Sequence, residues 1–325
     1  MNKFLKDIFT IDKKPRKGLL PMEWVVMGYI AFTFILFIVL RTDIPNPDAI
    51  ISLRLQAIAM TAGLWLVYRC IPCRFVLLLR CVLQIALLGS WYPDIYEFNR
   101  VFPNFDHLFA EAEQMVFGCQ PALLFYSAFS HPFFSELLDM GYVSYYFIMA
   151  IVMLFYFIKD YENFEKATFI FFTSFFFSYI IFLFLSVSGP QFYYQAVGLD
   201  RIAAGDFPNL EHYFFDNQEV LPLEGWGPGL FYQLHVYFFD AGERPIAAFP
   251  SSHVSVTLAM VILAFKGSRK LGWMILVLFI LLCLSTVYVK AHYGVDVIAG
   301  LIWGTLVYFA CSWMWKIFNV TTSSK

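Results

Sequence analysis

Two histidines toward the C-terminal end carry the strongest chemical signal in this chain. His253 follows Phe249-Pro250-Ser251-Ser252, and His292 opens the run His292-Tyr293-Gly294-Val295-Asp296. An imidazole held in one neutral tautomer is a nucleophile at phosphorus. A carboxylate bonded to its other nitrogen holds that tautomer. Asp296 lies four residues after His292, so on a helix the two share a face and can touch. A second, protonated imidazole can give its proton to the departing oxygen, and His253 is the candidate. Ser251 and Ser252 can cap the helix that follows, leaving its free N–H groups as a phosphate cradle. Lys290 can offer positive charge to phosphoryl oxygens. Arg244 is either a further phosphate or headgroup ligand or a loop ion pair. This set requires no metal and no cofactor.

The two histidines work together only if the chain returns them to one place, and the composition says how. Of 325 residues, 60% are hydrophobic, 20% aromatic and only 14% charged, where soluble domains carry about 25% charged. The pattern predicts an all-α polytopic membrane protein with about eight helices: 22–41, 50–69, 74–91, 137–158, 167–187, 252–266, 271–290 and 293–316. The hairpin 252–266/271–290 then brings His253 and His292 to the same membrane face. The run from Trp24 to Leu40 is long enough to span and lacks a small-residue cleavage site, so no cleavable signal peptide is expected.

Basic residues fix the expected orientation. Lys3, Lys6, Lys13, Lys14, Arg16 and Lys17 place the N-terminus in the cytoplasm. Arg69/Arg74, Lys159/Lys166, Lys266/Arg269/Lys270 and Lys316/Lys325 then fall on the same side. The opposite loops are acidic and aromatic and hold all six histidines. The localisation this implies is a bacterial inner membrane or an endomembrane, with both termini cytoplasmic and the site periplasmic or lumenal. The net charge of −2 gives no support for a nucleic-acid partner. Cys70-Ile71-Pro72-Cys73 has CxxC spacing but no second pair or nearby histidine, so these read as packing residues.

Two outer segments are more than connectors. Residues 104–118 gather Phe105, Leu108, Phe109, Met115 and Val116 near one helical face, with acidic residues on the other. That suits a helix in the membrane interface or one packed on the domain. Residues 188–250 form a long outer loop without clear secondary structure, whose aromatic content argues against disorder. Arg54 and Arg80 read as snorkelling or structurally paired. Trp91-Tyr92 and Trp313/Trp315 read as interface anchors, and the Phe and Tyr stripes along the helices as lipid-facing or packing residues.

These motifs resemble the type-2 phosphatidic acid phosphatase superfamily, which carries PSGH and SRxxxxxHxxxD segments after a KxxxxxxRP segment. Here the second segment is Pro250-Ser251-Ser252-His253, with Ser252 in the glycine position. The third runs from Ser285 through His292 to Asp296, with serine, histidine and aspartate in register. Thr286 stands where the family has arginine, and Lys290 lies one turn later. The first segment has no clear match: Ser188-Gly189-Pro190-Gln191 lacks lysine and arginine, and Arg244-Pro245 supplies only the RP pair. Phe-Pro-Ser-x-His, HYxxD and the stretch Met115 to Pro121 are similar to the inositol phosphorylceramide synthase-like branch.

The resemblance covers about residues 74–316. It implies a six-helix catalytic domain, 74–325, preceded by a cytoplasmic N-terminus and two added helices in 1–73. It further implies His292 as nucleophile, Asp296 as its orienting partner, His253 as general acid, and Lys290, Ser251 and Ser252 on the phosphate. The expected function is a lipid phosphate phosphatase or phosphotransferase working through a phosphohistidine. Its partners are a membrane lipid phosphate and either water or a lipid alcohol such as ceramide or diacylglycerol. Vanadate-binding haloperoxidases share this site, but the membrane composition and the few basic residues argue against that chemistry. A lipid transporter or scaffold that kept the fold is the non-enzymatic alternative.

Overall fold

The computed structural model describes residues 7–13 and 15–323; Lys3, Lys6, Lys14 and Lys325 lie outside them. Proline opens five of the helices. It costs nothing at a first helical position, where the N–H has no intrahelical partner. These five are α1 (Pro21–Leu40), α2 (Pro47–Cys70), α5 (Pro121–Ala128), α6 (Pro132–Lys159) and α8 (Pro190–Val197). The others are α3 (Arg74–Asn99), α4 (Asp106–Phe117), α7 (Phe164–Phe184), α9 (Leu199–Ala203), α10 (Leu230–Gly242), α11 (Ser252–Gly267), α12 (Arg269–Tyr288) and α13 (Gly294–Ser323). No strand occurs among the described residues.

Among the described residues seven helices are long and apolar enough to cross a bilayer: α1, α2, α3, α6, α7 with its preceding turn, α12 and α13. The expected eighth, α11, has 16 residues, short of the roughly 20 a full span needs. The 188–250 segment is more structured than expected. It holds α8, α9, a short turn at Tyr213–Phe215, and α10.

The bundle is built around α7, whose Phe-rich sequence is hydrophobic all round and buried on most of its faces. α1, α3, α6, α11 and α13 pack against it. α11 lies close on α13 because Gly300 and Gly304 leave room. A Cβ on Gly304 would sit 2.6 Å from the Ser255 carbonyl oxygen, and one on Gly300 2.9 Å from that of Ser251. Small residues four apart are how membrane helices bring backbones together.

The two N-terminal helices are fastened by buried charge. Glu23 of α1 pairs with Arg80 of α3, both side chains fully buried. Arg54 of α2 makes a bidentate pair with Asp94 of α3 at 2.8 and 3.0 Å, its guanidinium lying over Trp91 and Phe98. Both arginines are therefore paired rather than snorkelling. Trp91 is not an interface anchor. It is fully buried, edge-on to Tyr29 and Phe176, because α3 continues past the expected end at 91 to Asn99. Trp313 is exposed, as an anchor would be.

Removing one partner of a buried pair strands the other charge, at a cost of about 3–5 kcal/mol, whereas an apolar replacement of both is close to neutral. Glu23→Leu alone should therefore lower the thermal stability of the detergent-purified protein sharply. Glu23→Leu with Arg80→Met should restore most of it, measured as the unfolding midpoint.

Candidate active site

The site forms where the α11–α12 hairpin returns to its own starting depth. Ser251 caps α11: its Oγ accepts the Val254 N–H, and the N–H groups of Ser252 and His253 fall in the first turn, where helical geometry supplies no carbonyl. α12 ends at Tyr288, and a short turn leads through Lys290, in the left-handed region at φ 62°, to His292. His292 therefore precedes α13 rather than sitting on it.

His292 is held at both ring nitrogens. Nδ1 lies 2.8 Å from the Ala248 carbonyl oxygen. A carbonyl only accepts, so Nδ1 carries the hydrogen and Nε2 the lone pair. Nε2 faces His253 Nδ1 at 3.2 Å, so His253 Nδ1–H donates. The expected partner, Asp296, is near but not bonded, with Oδ2 3.6 Å from His292 Nδ1. Oδ2 instead accepts the Tyr293 N–H at 2.8 Å, because Asp296 lies in the first turn of α13 with unpaired backbone donors beside it. Its other oxygen, Oδ1, is buried without a partner among the described residues. Ala248 thus fixes the tautomer, and Asp296 supplies a buried carboxyl beside the ring.

α4 supplies the frame. It turns Asp106, Ala110 and Glu113 inward and leaves Leu108, Met115 and Val116 exposed. Glu113 accepts the first two N–H groups of α13, from Gly294 at 2.8 Å and Val295 at 3.0 Å. Asp106, fully buried, accepts from the N–H of Ser188 (2.6 Å) and Gly189 (2.9 Å), the Asn104 amide (2.6 Å) and the Tyr293 hydroxyl (3.0 Å). Gly189 is required here. At φ 89° its Cβ would lie 2.6 Å from the Ala291 carbonyl oxygen. Burial raises both the Asp106 and Glu113 carboxyls, and these hydrogen bonds oppose the rise.

The basic residues are turned elsewhere. The Lys290 ammonium pairs with Glu224 from the outer segment and lies 5.5 Å over the Tyr126 ring. Arg244 donates to the Glu243 carbonyl oxygen at 2.7 Å. Thr286, in the family arginine position, is fully buried and donates to the Cys283 carbonyl oxygen. Glu243, an outer-segment acid whose sequence context carries no site signal, accepts at Oε1 from Gln191 Nε2 at 3.1 Å and lies 3.4 Å from the Tyr92 hydroxyl. Burial pushes its carboxyl up to about 7, partly offset by His292. Burial takes His292 down to about 4 against the opposing pull of the Ala248 carbonyl and Glu243.

A family model described as the PAP2 superfamily matches residues 107–310. The chain belongs to the PAP2 superfamily. The match takes in Glu113, His253, His292 and Asp296, while α1, α2 and α3 lie outside it. No curated protein and no solved structure matches the chain significantly. PAP2 membership supports a phosphatase or phosphotransferase function.

The α4 clamp gives a direct test. Glu113→Ala leaves two N–H groups at the α13 start without their acceptor, at about 1–3 kcal/mol for each buried orphan. The variant should unfold at lower temperature and lose turnover, with Glu113→Gln intermediate on both measurements.

Proposed function

We propose that this PAP2 protein cleaves or transfers a lipid phosphate ester through a phosphohistidine at His292. The observation that carries this is the 3.2 Å contact between His292 Nε2 and His253 Nδ1. It places a lone pair opposite a proton donor, in the tautomers that displacement at phosphorus needs. The two nitrogens part to admit the substrate. Nε2 attacks phosphorus, the N–P bond forms and the bond to the leaving oxygen breaks. His253, charged as the imidazolium beside the bound phosphate, delivers its Nδ1 proton to that oxygen and is left neutral with its hydrogen on Nε2. In the second half an acceptor hydroxyl gives its proton back to His253 as its oxygen attacks phosphorus and the N–P bond breaks. The buried Asp296 beside the ring favours the cationic phosphoimidazole. Ser251 and Ser252, with the first-turn N–H groups of α11, cradle the phosphoryl oxygens. Lys290 and Arg244 join once substrate draws them from Glu224 and the Glu243 carbonyl.

The basic residues Arg69, Arg74, Lys159, Lys166, Lys266, Arg269 and Lys270 border the helix ends opposite the site. That supports a site on the non-cytoplasmic face. A second reading, headgroup transfer to a ceramide or diacylglycerol hydroxyl as in the inositol phosphorylceramide synthase-like branch, is favoured by burial. His292 is 3% exposed, and excluding water favours a lipid acceptor over hydrolysis.

Incubating the purified protein with labelled lipid phosphates, with and without ceramide or diacylglycerol, separates the two. Free phosphate in both arms marks hydrolysis, and a new phospholipid only in the acceptor arm marks transfer. His292→Ala and His253→Ala should lose turnover in either case; retained turnover in both would sink the phosphohistidine reading.

The pH dependence has a defined sign. Protonation removes the Nε2 lone pair, so kcat/KM should fall about tenfold per unit as pH drops below about 4. Glu243 ionises about pH 7. Glu243→Gln should abolish any inflection there while keeping the acid limb, as read from kcat/KM between acid and neutral pH.

A further inference from the structure

Beside the histidine pair lies a second histidine–carboxylate couple that the reaction above does not use. His235 of α10 meets Asp139 of α6 at 2.9 Å between Nδ1 and Oδ1. The two side chains are 2% and 0% exposed. The other Asp139 oxygen, Oδ2, is buried without a hydrogen-bond partner among the described residues, and the outer segment closes over it. A Cβ on Gly225 would come within 3.2 Å of that oxygen. A half-satisfied buried carboxylate is costly and calls for a reason.

The reason lies one ring away. The Tyr142 ring stands between His235, at 4.7 Å, and His253, at 5.0 Å and nearly parallel. Tyr142 follows Asp139 by three residues on α6, so both face the same way. Tyr145, a further turn along, contacts the His253 ring at 4.4 Å. Among the described residues the His253 ring makes one hydrogen bond, that to His292. Substrate must replace that bond, so during the reaction the protein's own hold on the ring is packing alone. Tyr142 is its stacked wall, and the wall is backed by an imidazole that Asp139 holds fixed. The mounting of α10 serves the same end. Glu136 accepts the N–H groups of Phe231 and Tyr232 at its start, and Phe238 stacks on Tyr146 at 4.1 Å.

We propose that Asp139 and His235 are positioning residues that aim the His253 proton donor by bracing Tyr142. This rests on His253 being the general acid of the proposed reaction. Its signature is selective. Proton donation matters for a basic leaving oxygen and little for one that leaves unaided. Dodecyl phosphate and 4-nitrophenyl phosphate, presented to the full-length detergent-purified protein, supply the two cases.

Asp139→Asn, His235→Gln and Tyr142→Leu should lower kcat for dodecyl phosphate by about 10²-fold, the scale of a 1 Å misplacement. KM should be unchanged, and 4-nitrophenyl phosphate should lose less than about threefold, since its leaving group needs no acid. Tyr142→Phe, which keeps the ring, should recover most of the dodecyl phosphate turnover that Tyr142→Leu loses. Equal losses on the two esters, or no loss on either, in the variants that remain monodisperse would overturn the proposal. Full turnover of both esters by His292→Ala would instead overturn the phosphohistidine reading, so the two failures are distinguishable.

Discussion

The site depends on where α13 begins, and Glu113 determines that. Its carboxylate takes the Gly294 and Val295 N–H groups, donors that a helix start in apolar surroundings could not leave unpaired. With that start fixed, Tyr293 and Asp296 fall into place. The Tyr293 hydroxyl then reaches Asp106, which also gathers the Ser188 and Gly189 N–H groups. One amphipathic helix, α4, thus ties the turn before α13 to the segment after α7. The 3.2 Å contact between the two histidines follows from that anchoring and from the close approach of α11 to α13 over Gly300 and Gly304.

Around this frame the electrostatics favour a neutral nucleophile. Burial disfavours the imidazolium of His292, and the Ala248 carbonyl selects the tautomer with a free Nε2. The cost is a site with little positive charge of its own. Lys290 is engaged by Glu224 and Arg244 by a backbone carbonyl. In the proposed reaction, phosphate charge is met by helix-start N–H groups and by cations released when substrate arrives.

His253, His292 and Asp296 were legible in the sequence because topology and spacing are enough to bring them together. A hydrophobic hairpin returns two polar ends to one depth whatever its packing. Seven of the eight expected spans followed from apolar runs in the same way, while α11 is shorter than a span. What stayed hidden depended on which face of an element turns inward. α4 has acidic and apolar faces as expected, but the face carrying Asp106 and Glu113 is buried while Glu111 stays exposed, and only the donors of Ser188, Gly189, Gly294 and Val295 explain why. Asp106 and Glu113, seven apart with Ala110 between, mark that face. Tyr142 was one aromatic among many on α6, and nothing in its spacing distinguishes a wall of the site from a lipid-facing ring. The Asp296 expectation failed in detail because four-residue spacing implies a shared helical face only if both residues are in the helix, and His292 is not. Trp91 looked like an anchor because α3 was expected to end there; eight further helical residues put it inside the core.

The central claim is a covalent bond between His292 and phosphorus. Rapid alkaline quenching of the protein during turnover of a ³²P-labelled lipid phosphate, followed by peptide mapping, tests it directly. The account predicts an acid-labile, alkali-stable label on the peptide that contains His292, and its disappearance in His292→Ala. Label on any other residue, or undiminished label in His292→Ala, would contradict it.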